Sequence, residues 1–293
     1  MYSQIVANKR KTIVILFSFF VLIGLLSYLI GWYMGDGSFA ITALVFASIY
    51  AVWSYFGSAW LATTMSGANE IQKHDNPRLW RTVENLCITN GMQMPRVFVI
   101  DDPAPNAFAT GRDPQHAIVA STTGLLDMMS DVELEGVIAH ELGHVKNYDI
   151  RVSLIAFALV AVISLMSDFF LRMSFFGGSR RNDDNNSGGG LQMLLAVAAL
   201  ILAPIAATML QLALSRKREL MADATGALTT RYPEGLASAL VKIAAHGSVM
   251  QRQNTSTAHL FFANPLKGKV FSTLFSTHPP IDERIKLLRS MTL

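Results

Sequence analysis

Two long runs without a charged residue open the chain. Residues 12–35 carry none, residues 37–69 carry none, and Asp36 alone divides them. A hydrocarbon core about 30 Å thick is crossed by roughly 20 apolar helical residues. Each run therefore predicts one crossing, near residues 13–33 and 39–61. Trp32, Tyr33, Trp53, Tyr55 and Trp60 stand near the run ends, where amphipathic rings favour the membrane interface. Lys9, Arg10 and Lys11 ahead of the first run also suit a signal peptide. The run is longer than a usual signal core and a second follows at once, so a retained hairpin is the reading.

Residues 70–150 change pattern. Asn76-Pro77 predicts a helix start, Trp80, Val83, Leu86 and Cys87 keep helical spacing, and Gly91 ends the element. "RVFVI" (96–100), "NAFAT" (106–110) and "HAIVA" (116–120) are short, β-prone and divided by Pro, Asp and Gly, which predicts a small sheet. Ser130 and Glu133 then open a helix in capping-box spacing. Two further apolar stretches follow. Residues 152–167 make the weaker spanning candidate, and residues 185–215 the stronger, with a kink expected at Pro204. The polar, Gly-rich segment 177–190 between them reads as a loop. From Arg216 the chain is helical and amphipathic again, with Pro233 as a start and Gly247 as a stop.

Composition agrees with a membrane. The 293 residues are 51% hydrophobic and only 15% charged, against about 25% charged in an ordinary soluble protein. Basic clusters at 9–11, at Lys73, Arg78 and Arg81, and at 216–218 fall on one side of the bilayer, which the positive-inside tendency makes cytoplasmic. Arg180 and Arg181 depart from that pattern. The net charge of +3 is scattered, with no basic stripe bearing aromatics, so no nucleic-acid partner is expected. A single cysteine, Cys87, excludes an intrachain disulfide.

The chemistry concentrates in His140-Glu141-Leu142-Gly143-His144. Positions four apart on a helix lie one turn above each other, so both imidazoles can reach one metal ion. Glu141 is offset and flanks that ion, where it can take a proton from water. This is the logic of the H-E-x-x-H zinc peptidases. A catalytic zinc needs a third protein ligand and an open position. Glu219 in "RKRELMADATGA" is the best candidate, its alternative being a solvated helical glutamate. Asp223, four residues on, suits the carboxylate that receives a ligating histidine's other N–H. Asp149, past the end of the motif helix, is either a brace or a helix-end acid facing water. His74, His116, His246 and His259 have no partner spacing and read as non-catalytic.

The N-terminal hairpin, the motif at 140–144, the apolar hairpin and Glu219-Leu-Met-Ala-Asp223, with "PNAFATG" before and "STHPPIDERI" after, resemble in order the HtpX family of membrane zinc metalloproteases. The resemblance extends more distantly to the CAAX prenyl proteases. It implies a multi-pass protein of the bacterial inner membrane that degrades damaged membrane proteins from the cytoplasmic side without ATP, with one Zn2+ per chain. It also implies that Asn106, Ala107, Phe108, Ala109 and Thr110 form an edge strand that pairs with extended substrate. By the same resemblance His278 donates to the developing oxyanion and Arg284 orients it. From the residues alone, 106–110 is an ordinary strand and His278 a turn residue.

The expected fold is thus a membrane protein, mainly α with a small β-sheet, its transmembrane helices carrying a cytoplasmic zincin-like metalloprotease domain. The expected division is a transmembrane hairpin at 1–69, a first catalytic part at 70–150, the apolar hairpin at 151–215 and a second catalytic part at 216–293. The partners are membrane-protein substrates and the lipid bilayer. A CAAX-type protease and a non-catalytic zinc-binding scaffold are the rival functions.

Overall fold

The computed structural model describes residues 2–34, 37–155, 197, 201, 216–247, 249–252, 260–263, 265 and 279–292. The expected crossings at 152–167 and 185–215, the loop at 177–190 and His278 lie wholly or largely outside them. The chain forms two compact units. One comprises Met1–Asn8, Gly57–Leu154 and Leu214–Leu293; the other comprises Lys9–Phe56 and Ile155–Ala213.

The second unit holds most of two helices, α1 (Tyr2–Met34) and α2 (Ser38–Ser66). Ile15, Phe19, Ile23 and Ala47 are buried within it. Elsewhere its apolar side chains face outward: Ile13, Phe17, Val21 and Trp32 on α1, and Ile41, Phe46, Ile49, Trp53 and Phe56 on α2. Among the described residues no single helix is long and apolar enough to cross a membrane. One pair, Leu44–Gly57 with Ala59–Ser66, passes together across a bend of 67°.

The first unit is built on a four-stranded sheet of β1 (Ala68–Glu70), β2 (Arg96–Ile100), β3 (Ala107–Gly111) and β4 (Ala117–Thr122), in the order β1-β2-β4-β3. The β2–β4 pair is parallel and the outer pairs are antiparallel. Strand alternation sends Val97, Ala107, Ala109, Ala117 and Val119 to one core and Phe98, Ile100, Phe108, Ile118 and Ala120 to another. The first core also takes the apolar faces of α3 (Pro77–Asn90), α5 (Asp131–Lys146) and α7 (Pro233–His246), with Leu288 from α8 (Ile281–Arg289). Two short elements escape the sequence pattern: β1, and α4 (Thr123–Met128), whose cap Thr122 is the last residue of a strand.

The helix ends follow their chemistry. Asn76 accepts from Leu79 N, Pro77 takes the first position, and Gly91 closes α3 in the left-handed region at φ 61°. Glu133 Oε2 accepts from both the backbone N and Oγ of Ser130, at 2.8 Å each, and from Lys242 Nζ at 2.6 Å. Removing such a cap typically costs about 1 kcal/mol. The cap fixes where α5 begins, and therefore which way residues 140 and 144 point.

Candidate metal centre

The helix α5 is buried along most of its length, and α6 (Arg216–Thr230) lies close against it. Gly226 makes that closeness possible: a Cβ there would stand 3.0 Å from the backbone N of His140. Small residues at 222 and 226, four apart on α6, form the contact side. The approach brings the start of α6, with Glu219, to the motif.

Three ligand atoms converge. His140 Nε2 and His144 Nε2 are 3.2 Å apart, and Glu219 places Oε2 3.7 Å from the first and Oε1 3.5 Å from the second. One ligand atom from each residue lies within 4.8 Å of the others. The outer nitrogens are committed elsewhere. His140 Nδ1 is 2.8 Å from Asp223 Oδ1, and His144 Nδ1 is 3.1 Å from Asp149 Oδ2. Each imidazole thus donates outward to a carboxylate and turns Nε2 inward, the arrangement that prepares histidine for a metal.

Asp223 is held in turn by Arg284, which donates through Nε to Oδ2 at 2.8 Å and through Nη2 to Oδ1 at 2.6 Å. Arg284 Nη2 also approaches His140 Nδ1 at 3.5 Å, but that is donor against donor. Phe262 closes this side, with its ring edge-on to His140 at 5.1 Å and under the Arg284 guanidinium at 4.9 Å. The described role of Arg284 is therefore on Asp223. Any contact with His278 lies outside the described residues.

Protonation separates the two histidines. Burial pushes His140 down to about 4, with Arg284 and His144 adding to the shift against the pull of Asp223. Burial also lowers His144, but Glu219, Asp149 and Glu141 outweigh it and raise the group to about 9. Burial raises Asp223, yet Arg284 and then His140 hold it far below the usual carboxylate range. The 3.2 Å contact then reads as His144 Nε2–H donating to a neutral His140 Nε2. The donor set, two imidazoles and a carboxylate with two more carboxylates behind, fits a divalent cation of the zinc type. Glu141 is buried beside it, and its charge is felt by both His144 and Arg284.

The expected substrate strand is β3, at an outer position of the sheet. Its outer side is partly taken by the chain itself. Phe262 N donates to Ala107 O at 2.8 Å, and Phe108 pairs with Phe261 in an antiparallel bridge. Asn106 clasps Ala263, donating through Nδ2 to its O at 2.8 Å and accepting from its N at 3.0 Å through Oδ1. Asn106, Ala107, Phe108 and Thr110 are all inaccessible, and Ala109 is nearly so.

Several contributors have no clear mark in the sequence. Phe262 sits in an unremarkable apolar pair. Asn8 of α1 reaches the loop after α5, where its Nδ2 donates to Asp149 Oδ1 and to Asn147 O, at 2.8 Å each. Only Gly226 left a trace, as the small-residue spacing on α6.

Residues 73–292 match the family model described as Peptidase family M48. The chain is 54% identical over 291 residues to a protease HtpX homolog of Tropheryma whipplei (strain Twist), covering 99% of this chain and 98% of that one. A protease HtpX homolog of Dictyoglomus thermophilum is 46% identical over 292 residues, with 99% and 94% covered. One from Ligilactobacillus salivarius is 44% identical over 295 residues, with 99% and 100% covered. The crystal structure of S. mikatae Ste24p shares the fold, with a TM-score of 0.53 and 17% identity, across 98% of this chain and 67% of that one.

Proposed function

The chain belongs to peptidase family M48 and is a metalloprotease by that membership; from that premise we propose a zinc-dependent endopeptidase that cuts damaged or misfolded membrane proteins at the cytoplasmic face of the bacterial inner membrane, without ATP. One observation carries the reading. His140 and His144 on α5 and Glu219 on α6 bring their ligand atoms together, while every outward ring nitrogen is engaged by a carboxylate.

His140, His144 and Glu219 would hold a zinc ion, which would supply Lewis acidity at the site. The protein's own groups do the rest. Glu141 takes the proton from the attacking water and hands it to the leaving amine. Its burial among Arg284 and the imidazoles keeps that transfer out of bulk solvent. Asp223 and Asp149 fix the rings. His278 donates to the oxyanion, and the backbone of residues 106–110 aligns an extended substrate by strand addition, the substrate taking the place of Phe261 and Phe262 beside Ala107 and Phe108. The apolar side chains that α1 and α2 turn outward favour lipid as the surrounding medium.

Glu141→Gln provides the test. The purified variant should keep stoichiometric zinc and lose cleavage of an unfolded membrane protein by about 10²-fold to 10⁴-fold, the range typical of a lost general base. Undiminished cleavage would remove Glu141 from the chemistry. Zinc-loaded wild type that cuts nothing would favour a scaffold.

A further inference from the structure

We infer that Asn8 is a positioning residue for the metal centre, holding Asp149 against His144 across a strained bend. The inference rests on the metal reading above. After α5 the chain turns sharply. Asn147 is the cap, and Tyr148 adopts φ 60°, in the left-handed region. A bulky residue is strained there and persists only where its surroundings hold it. The bend serves one visible end: it returns Asp149 toward the helix it has just left, placing Oδ2 3.1 Å from His144 Nδ1.

Asn8 spans that bend. A side-chain amide nitrogen carries two hydrogens, and here each has its own acceptor, one on either side of Tyr148. Asn147 O and Asp149 Oδ1 both lie 2.8 Å from Nδ2. The two carboxylate oxygens of Asp149 are therefore divided, one for His144 and one for Asn8. Asn8 is 2% exposed, in a helix otherwise rich in apolar and basic residues. It belongs to the same compact unit as the centre, although residues 9–56 belong to the other. Arg218 Nη1 stands 4.0 Å from Oδ1, beyond hydrogen-bond range. The amide of Asn8 is within hydrogen-bond distance of Asp149 and sets its orientation. Asp149 in turn sets which ring nitrogen of His144 faces the ligands.

The test uses the full-length chain in detergent and zinc affinity by competition with a chromophoric chelator. Asp149→Ala should weaken zinc about 10-fold to 100-fold, as loss of a ligand's supporting carboxylate does. Asn8→Ala should weaken it about threefold to tenfold, the scale of one lost hydrogen bond. Asn8→Asp, which faces a carboxylate with a carboxylate, should lose more. The double variant Asn8→Ala, Asp149→Ala should be no weaker than Asp149→Ala alone, because Asn8 acts through Asp149. The visible bands of cobalt-substituted Asn8→Ala should shift from those of the wild type. Additive losses in the double variant would overturn the inference. So would wild-type affinity in both Asn8 variants, or an affinity loss that merely follows a collapse of the metal-free melting transition. Wild type without stoichiometric zinc would instead overturn the metal reading, and this inference with it.

Discussion

His140 and His144 sit one turn apart on α5, and the groups behind them are drawn from different levels of structure. His140 leans on Asp223 of α6, which is gripped by Arg284 of α8, with Phe262 closing the side. Those three residues are distant in sequence and all but inaccessible. His144 leans on Asp149, five residues away, reached across the left-handed Tyr148 and steadied by an amide. The first imidazole is oriented by the packing of the whole unit, and the second by one local bend. Their proton affinities diverge accordingly: burial dominates at His140, whereas the carboxylates around His144 overcome it. Damage behind His140 should therefore register as lost folding, and damage behind His144 as lost metal.

The most severe break is Arg284→Met. It leaves Asp223 charged and buried without its guanidinium, and removing one partner of a buried pair costs about 3–5 kcal/mol. Denaturant unfolding of the metal-free protein should show that loss. Asp149→Asn, measured alongside, should lose less, because it keeps a side-chain acceptor and Glu219 and Glu141 still act on His144. Equal losses would erase the distinction between the two sides.

Next in size is a dependence on pH. Metal-free His144 holds its proton up to about 9, while His140 is already neutral at pH 7. Zinc entering at pH 7 should expel about one proton, and its affinity should climb roughly tenfold per pH unit toward pH 9 before levelling. Stability of the metal-free fold runs the opposite way. A raised folded-state value stabilises fully below the unfolded value and is lost as pH rises through the folded one. The His144 contribution should therefore fade between about pH 6.5 and about 9. Calorimetry in buffers of different ionisation enthalpy counts the protons, and a count near two or zero would contradict the assignment.

A smaller effect belongs to the interface the two sides share. Gly226→Ala would press a methyl group to 3.0 Å from His140 N. Overpacking of this kind costs about 1–3 kcal/mol, and shifting Glu219 with α6 should also weaken zinc. Thermal melting with and without zinc would show both. The smallest is Asn76→Ala, at the cap of α3, which should cost about 1 kcal/mol and leave zinc affinity unchanged.

The sequence announced local structure well where a residue's role is local. Asn76, Gly91, Ser130, Pro233 and Gly247 mark helix ends through their own chemistry, and the four-residue spacing of 140 and 144 needs only the pitch of a helix. Glu219 and Asp223 were legible by the same spacing, once a ligand was being sought. The contributors it hid all act across long separations. Asn8 reaches Asp149, Phe262 reaches His140, and Asn106 clasps Ala263, and nothing in the spacing of these residues predicts that they touch. β1 was too short to show alternation. Strand β3 was visible, but the segment lying on it was not, because a single bridge has no periodicity to read.

That segment bears on how copies of the chain behave beside one another. An outer strand with bare amide and carbonyl groups is a template on which another polypeptide can grow. By laying Phe261 and Phe262 along Phe108 and Ala107, the protein withholds part of that template from its neighbours. A self-supplied cover of this kind guards against indiscriminate edge-to-edge aggregation.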